Sequence, residues 1–212
     1  MAGVVSTARG PHDWGKTAFF VFLAVCTAGV IYADEKFLLI HNDPEWAHIK
    51  PFQMWLLPHG IMGLVALICG PFQFSDKLRA ERPALHRTIG YTFVVTGGLT
   101  ALLGSFISLN FGGKILFVEE YFHGGLIVLS LAMALVSIKN KNIQAHKLWM
   151  MRAYLVLLIF VLARMPDVWG HHMTEQELAN VLWSGDVIGV LAPSLALDLR
   201  DLMRRRAKRA AA

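Results

Sequence analysis

Apolar residues in this chain come in stretches of about 20 with almost no charge, and that clustering constrains the fold more than any other feature. A helix needs about 20 such residues to cross ~30 Å of hydrocarbon. Six stretches stand out, at roughly residues 17–33, 54–74, 86–109, 115–138, 147–166 and 180–199. The chain therefore reads as an all-α, polytopic membrane helix bundle of about six transmembrane helices over residues 17–199. A polar segment, 1–16, precedes it and a basic tail, 200–212, follows. With 212 residues, 55% of them hydrophobic, there is no room for a separate soluble domain. The first stretch is expected to stay as a helix. It ends in Tyr32-Ala33-Asp34-Glu35, which lacks the small-residue site of a cleaved signal.

The net charge of +5 would suit nucleic acid, but its placement argues for anionic lipid headgroups and against nucleic acid. With six crossings, one side carries Arg9, Lys16, Lys77, Arg79, Arg82, Arg87, Lys139, Lys141, Lys147 and the tail residues Arg200, Arg204, Arg205, Arg206, Lys208 and Arg209. The other side holds Lys36, Lys50 and Lys114. The bias places both termini in the cytoplasm and the chain in the cell inner membrane. It also argues that the sixth stretch crosses, although it contains Asp186 and Pro193. The outer loops hold Asp34, Glu35, Asp43, Glu45, Asp167, Glu175 and Glu177, with Trp46, Trp55 and Trp169 near the boundary as interfacial anchors. Cys26 and Cys69 lie within apolar stretches and read as small buried side chains.

Helices two to five each carry one histidine near the start: His59, His86, His123 and His146. Because chain direction alternates, His59 and His123 fall toward the outer face and His86 and His146 toward the cytoplasmic face. Two imidazoles from alternate helices can hold a b-type haem iron from its two sides. Gly60, Gly63, Gly90, Gly124 and Gly125 supply small residues near three of the four. Arg87 and Arg152 would offset propionate charge. The plainer reading is interfacial histidines bonded to backbone or water, with glycines that allow close packing. A transition metal on the same imidazoles is a third, and Glu119 and Glu120 beside His123 are the carboxylates that would join it. Asp186 is expected to pair with an arginine of helix five, Arg152 or Arg164, and His171-His172 to be solvated in a loop.

Several motifs carry a resemblance. Gly70-Pro71-Phe72-Gln73-Phe74 is followed by Arg82-Pro83-Ala84-Leu85-His86-Arg87-Thr88-Ile89-Gly90-Tyr91, then by Ala145-His146-Lys147-Leu148-Trp149-Met150-Met151-Arg152-Ala153-Tyr154. This resembles the uncharacterised bacterial membrane proteins grouped as domain of unknown function 2306, over roughly residues 55–165. The resemblance implies a multi-helix membrane protein and no assigned reaction. His59, His86, His146 and Arg152 fall on its motifs, and His123 does not. A more distant similarity, of topology alone, is to diheme b-type cytochromes. The functions this leaves are a b-haem electron-transfer protein with one or two haems and a possible quinone partner, an accessory subunit of a larger respiratory or photosynthetic complex, and a small transporter. Soluble-enzyme motifs for phosphate, acyl transfer or zinc hydrolysis are absent from the sequence.

Overall fold

A computed structural model describes residues 14–33 and 49–210. The N-terminal residues, Arg9 among them, and the 34–48 part of the first outer loop, with its acidic residues and Trp46, lie outside the described residues. Every regular element described is a helix: α1 (Trp14–Ala33), α2 (Gln53–Gln73), α3 (Asp76–Glu81), α4 (Pro83–Phe111), α5 (Lys114–Lys139), α6 (Ile143–Ala163), α7 (Met165–Val168) and α8 (Glu175–Ala210). Five of these runs are long and apolar enough to cross a membrane: α2, α4, α5, α6 continued through Val168, and α8. The expected count of six becomes five plus α1, whose apolar run, Thr17–Tyr32, is shorter and which packs on α6 and α7.

Local chemistry sets the helix ends. The Ser75 hydroxyl accepts from Leu78 N–H at 3.1 Å to start α3. Pro83 opens α4, where its missing N–H costs nothing. The Asn142 side chain accepts from Ala145 N–H at 3.0 Å to start α6. α4 and α6 begin a few residues before the apolar runs that betray them, because their first turns are polar. Glu175, at the start of α8, reaches across to α5, where its Oε1 accepts from Ile115 N–H and Leu116 N–H, both at 3.1 Å. A carboxylate on two of α5's free N–H groups also meets the positive end of that helix.

The helices form one bundle in which α4, α5, α6 and α8 contribute most of the buried residues. α2 packs on α4, α4 on α5, α5 on α6, and α8 against both α5 and α6. Its core joins Ala66, Phe93, Ile127, Leu131, Ala134, Ala153, Tyr154 and Leu157. Large apolar side chains also cover the outside, including Ile61, Ile68, Leu102, Leu109, Val187 and Leu191. That suits hydrocarbon as the surrounding solvent and no aqueous one.

The three sequence motifs meet at one place in the bundle. Tyr154 of α6 is 2% exposed. It lies against Gly70, against the Phe74 ring at 5.6 Å and the Phe93 ring at 6.2 Å, and its hydroxyl reaches Leu67 O at 3.5 Å. Gln73 Nε2 donates to His86 O at 3.4 Å, and a Cβ added at Gly90 would sit 2.9 Å from Gln73 Oε1. The Gly-Pro-Phe-Gln-Phe turn therefore locks α2 to α4 and α6.

Candidate functional site

The four histidines occupy two levels. His59 on α2 and His123 on α5 form one level, and His86 on α4 and His146 on α6 form the other. Both imidazoles of the first pair pack on Phe160 of α6, each with its ring 6.3 Å from the Phe160 ring. Helix rise puts His123 about 14 Å into α5 and His59 about 9 Å into α2, while His86 and His146 sit only about 5 Å into theirs. One pair is thus deep and the other shallow.

Three rings are fixed by hydrogen bonds at Nδ1. His59 Nδ1 donates to Thr100 O of α4 at 2.9 Å, and Thr100 Oγ1 returns a bond to His59 O at 2.8 Å. His146 Nδ1 donates to Ala134 O of α5 at 2.9 Å. A carbonyl only accepts, so in both rings the proton is on Nδ1 and Nε2 carries the lone pair. His86 Nδ1 is buried without a hydrogen-bond partner. His123 differs: its Nδ1 lies 2.8 Å from Asp186 Oδ1 on α8.

Asp186 was expected beside an arginine, but the structure gives it to His123. Arg152 is turned elsewhere. Its Nε donates to Val190 O at 3.1 Å and an Nη to Ser194 Oγ at 2.7 Å, and its guanidinium lies 4.3 Å from the Trp149 ring. These bonds fall on either side of Pro193 of α8, so Arg152 ties α6 to α8 there. Arg164 lies 5.4 Å from the Phe160 ring. Arg87 is exposed at the start of α4. His172 is exposed in the loop, with Asp167 at 3.4 Å.

The deep level holds more than histidine. Glu119, one helical turn before His123 on the same face of α5, is 0% exposed, and His123 and Asp186 are 7% and 1% exposed. One ligand atom from each of the three lies within 4.8 Å of the others. Both oxygens of Glu119 and Oδ2 of Asp186 have no hydrogen-bond partner. Two carboxyls and an imidazole thus converge inside the bundle with three acceptor oxygens unused. A buried carboxylate without a partner is costly, more so within hydrocarbon. The i,i+4 pair Glu119/His123 is legible in the sequence. The third member, Asp186, is visible there as the one acid deep in an apolar run, but its neighbour is fixed only by how α8 packs.

These residues fit two kinds of group. The Nδ1 bonds of His59 and His146 leave Nε2 as the available nitrogen, which is the state of an iron-ligating imidazole. Glu119, His123 and Asp186 offer the oxygen and nitrogen donors of a single transition-metal ion. The sequence pattern of a family described as "Predicted membrane protein (DUF2306)" matches residues 56–195, more than half of the chain and all of these side chains. No curated protein and no solved structure matches.

Proposed function

Because the chain belongs to the DUF2306 family of predicted membrane proteins, a description that names no ligand or reaction, its chemistry has to be read from its own buried residues, and we propose that it is an intramembrane metalloprotein. Its site is Glu119, His123 and Asp186, and the ion is divalent and from the first transition row. The observation that carries this reading is the fully buried Glu119 carboxyl, whose two oxygens have no hydrogen-bond partner and one of which lies within 4.8 Å of ligand atoms of His123 and Asp186. Two carboxylates and a neutral imidazole carry a charge of minus two. A divalent cation cancels it, so the filled site is neutral and hydrocarbon tolerates it. The 2.8 Å between His123 Nδ1 and Asp186 Oδ1 is also the separation of two ligands held about 2.1 Å from one ion at roughly a right angle. Such an ion supplies Lewis acidity or, if redox-active, a one-electron centre.

The test is elemental analysis of the purified full-length protein, followed by titration of the chelator-stripped protein with Zn²⁺, Mn²⁺ and Fe²⁺. One ion per chain is expected, with affinity falling at least about tenfold in His123→Ala and in Asp186→Asn. Wild-type protein that binds none of the three ions with these residues intact overturns the reading.

A second reading is favoured by the sharing of Phe160 by His59 and His123 and by the placement of His86 and His146 near the starts of α4 and α6, each pair across alternate helices. In it the pairs hold b haem, one or two per chain, and the protein carries electrons, with a quinone or a larger membrane complex as partner. His59, His123, His86 and His146 would be the ligands, and Arg87, exposed at the membrane edge, would face a propionate. Arg152, bonded to α8, would be a weaker propionate partner. The same preparation decides between the two. Haem absorbance that disappears in His59→Ala and His146→Ala supports this second reading, because neither residue belongs to the Glu119 site. A colourless protein carrying one ion supports the first.

A further inference from the structure

α8 is longer than a bilayer is thick. Its 36 residues span about 54 Å, whereas the hydrocarbon and both headgroup layers together measure about 40–45 Å. Contacts with α6 fix its level. Gly185 and Gly189 of α8 receive Ile159 and Val156 of α6, and Val190 and Ser194 receive Arg152. The two helices therefore run antiparallel, and the polar first turn of α6, residues 143–147, stands beside about residues 197–201 of α8. Asp198, Arg200 and Asp201 fall there, and they mark the edge of the hydrocarbon. The helix continues past them to Ala210. From Arg200 to Arg209 it rises about 14 Å, through a headgroup layer of about 5–8 Å on that side.

Every residue of known burial from Leu195 to Arg209 is exposed, so no described helix covers this part of α8. At about 100° per residue, Arg204, Arg205 and Arg206 point in three directions about the axis, and Arg200 and Arg209 fall between them. The arginines make a collar and not a stripe. Leu202 and Met203 stand exposed among them. A protein partner docks on one face of a helix. A collar suits a medium that surrounds the helix, anionic at the level of the guanidinium groups and apolar just below it.

We propose that the basic end of α8 is a binding surface for anionic phospholipid headgroups, with Arg204, Arg205, Arg206 and Arg209 on the lipid phosphates and Leu202 and Met203 turned back to the acyl chains. The planar guanidinium fork matches phosphate oxygens in pairs. The collar also sets the depth of α8. Sliding one way drags guanidinium groups into hydrocarbon, and sliding the other strips leucines of their lipid. Lipid charge thus holds the helix that carries Asp186 at its level.

The test uses full-length protein with a fluorescent label on Ala207→Cys, reconstituted into phosphatidylcholine bilayers. A small fraction of the lipid carries a nitroxide quencher near the headgroup end of an acyl chain, either as phosphatidylglycerol or as phosphatidylcholine. At equal fractions the phosphatidylglycerol form should quench more, with an apparent affinity at least about tenfold higher, since each arginine near the surface is worth roughly fivefold. The preference should vanish at about 1 M salt, where charges are screened within about 3 Å. It should also vanish when Arg204, Arg205, Arg206 and Arg209 are all changed to Gln. The salt series needs no variant, so the proposal stays exposed to failure if the variant does not fold. Equal quenching by the two lipids in the wild type overturns it, as does a preference that survives in the well-folded variant. A label that neither lipid quenches but that soluble polyglutamate shields assigns the arginines to an acidic protein, and overturns it too.

Discussion

Gly70→Val should leave almost no folded protein in the membrane. A Cβ at position 70 would overlap the Tyr154 ring itself, and that ring has nowhere to go. It is 2% exposed, wedged against Phe74 and Phe93. Both backbones at the contact are helical, so relief requires α2 and α6 to move apart. Overpacking a tight interior costs about 1–3 kcal/mol where side chains can yield, and here they cannot, so a loss at or above the upper end is expected. Size-exclusion chromatography of a fluorescent fusion in mild detergent reads the outcome. Gly70→Ala should show a smaller loss in the same direction. Tyr154→Ala in the Gly70→Val background should recover part of the folded peak, because it removes the ring that the new side chain strikes. A Gly70→Val protein as abundant and monodisperse as wild type would mean that α2 and α6 do not meet at this point.

Glu119→Leu should act on stability and on metal binding in opposite directions. In excess chelator the variant should melt higher than wild type, by on the order of 5 °C, since it removes a buried carboxyl whose oxygens have no partner, a burial that costs about 1–3 kcal/mol. With Zn²⁺ or Mn²⁺ added, wild type should gain stability as the ion binds only the folded state, and the variant should not respond. The order of the two melting curves then reverses. The prediction follows from two unpartnered oxygens on a fully buried side chain. A Glu119→Leu protein that melts lower than wild type in chelator would show that Glu119 already has a protein partner and needs no ion.

The membrane bundle is legible in the sequence because hydrocarbon imposes a length and a composition that few other environments demand. All five long helices overlap the apolar runs that announce them, and the helix ends differ by a few residues because Asn142 and Pro83 begin helices in polar sequence. α1 is the departure: its apolar run is shorter than the other spans. The histidine levels are legible too, since alternating chain direction alone sorts His59 with His123 and His86 with His146. Pairing of charged groups is less so. Asp186 could meet Arg152 or His123 by depth, and only the rotation of α8 about its axis decides. The same rotation sends Arg152 to Val190 and Ser194. The motif glycines gain their meaning only in three dimensions, as Gly70 receives a ring from a helix some eighty positions later.

Glu175 and Asp186 both belong to α8, and that has a consequence for how the protein is made. α8 leaves the ribosome after α1 to α7, so throughout synthesis of those segments α5 lacks its cap and Glu119 and His123 lack their third member. The nascent bundle is therefore an unfinished assembly until α8 enters the bilayer and docks. A chain stalled before residue 175 would present bare amides and an orphaned acid to the translocon, a lesion that membrane quality-control proteases are suited to recognise.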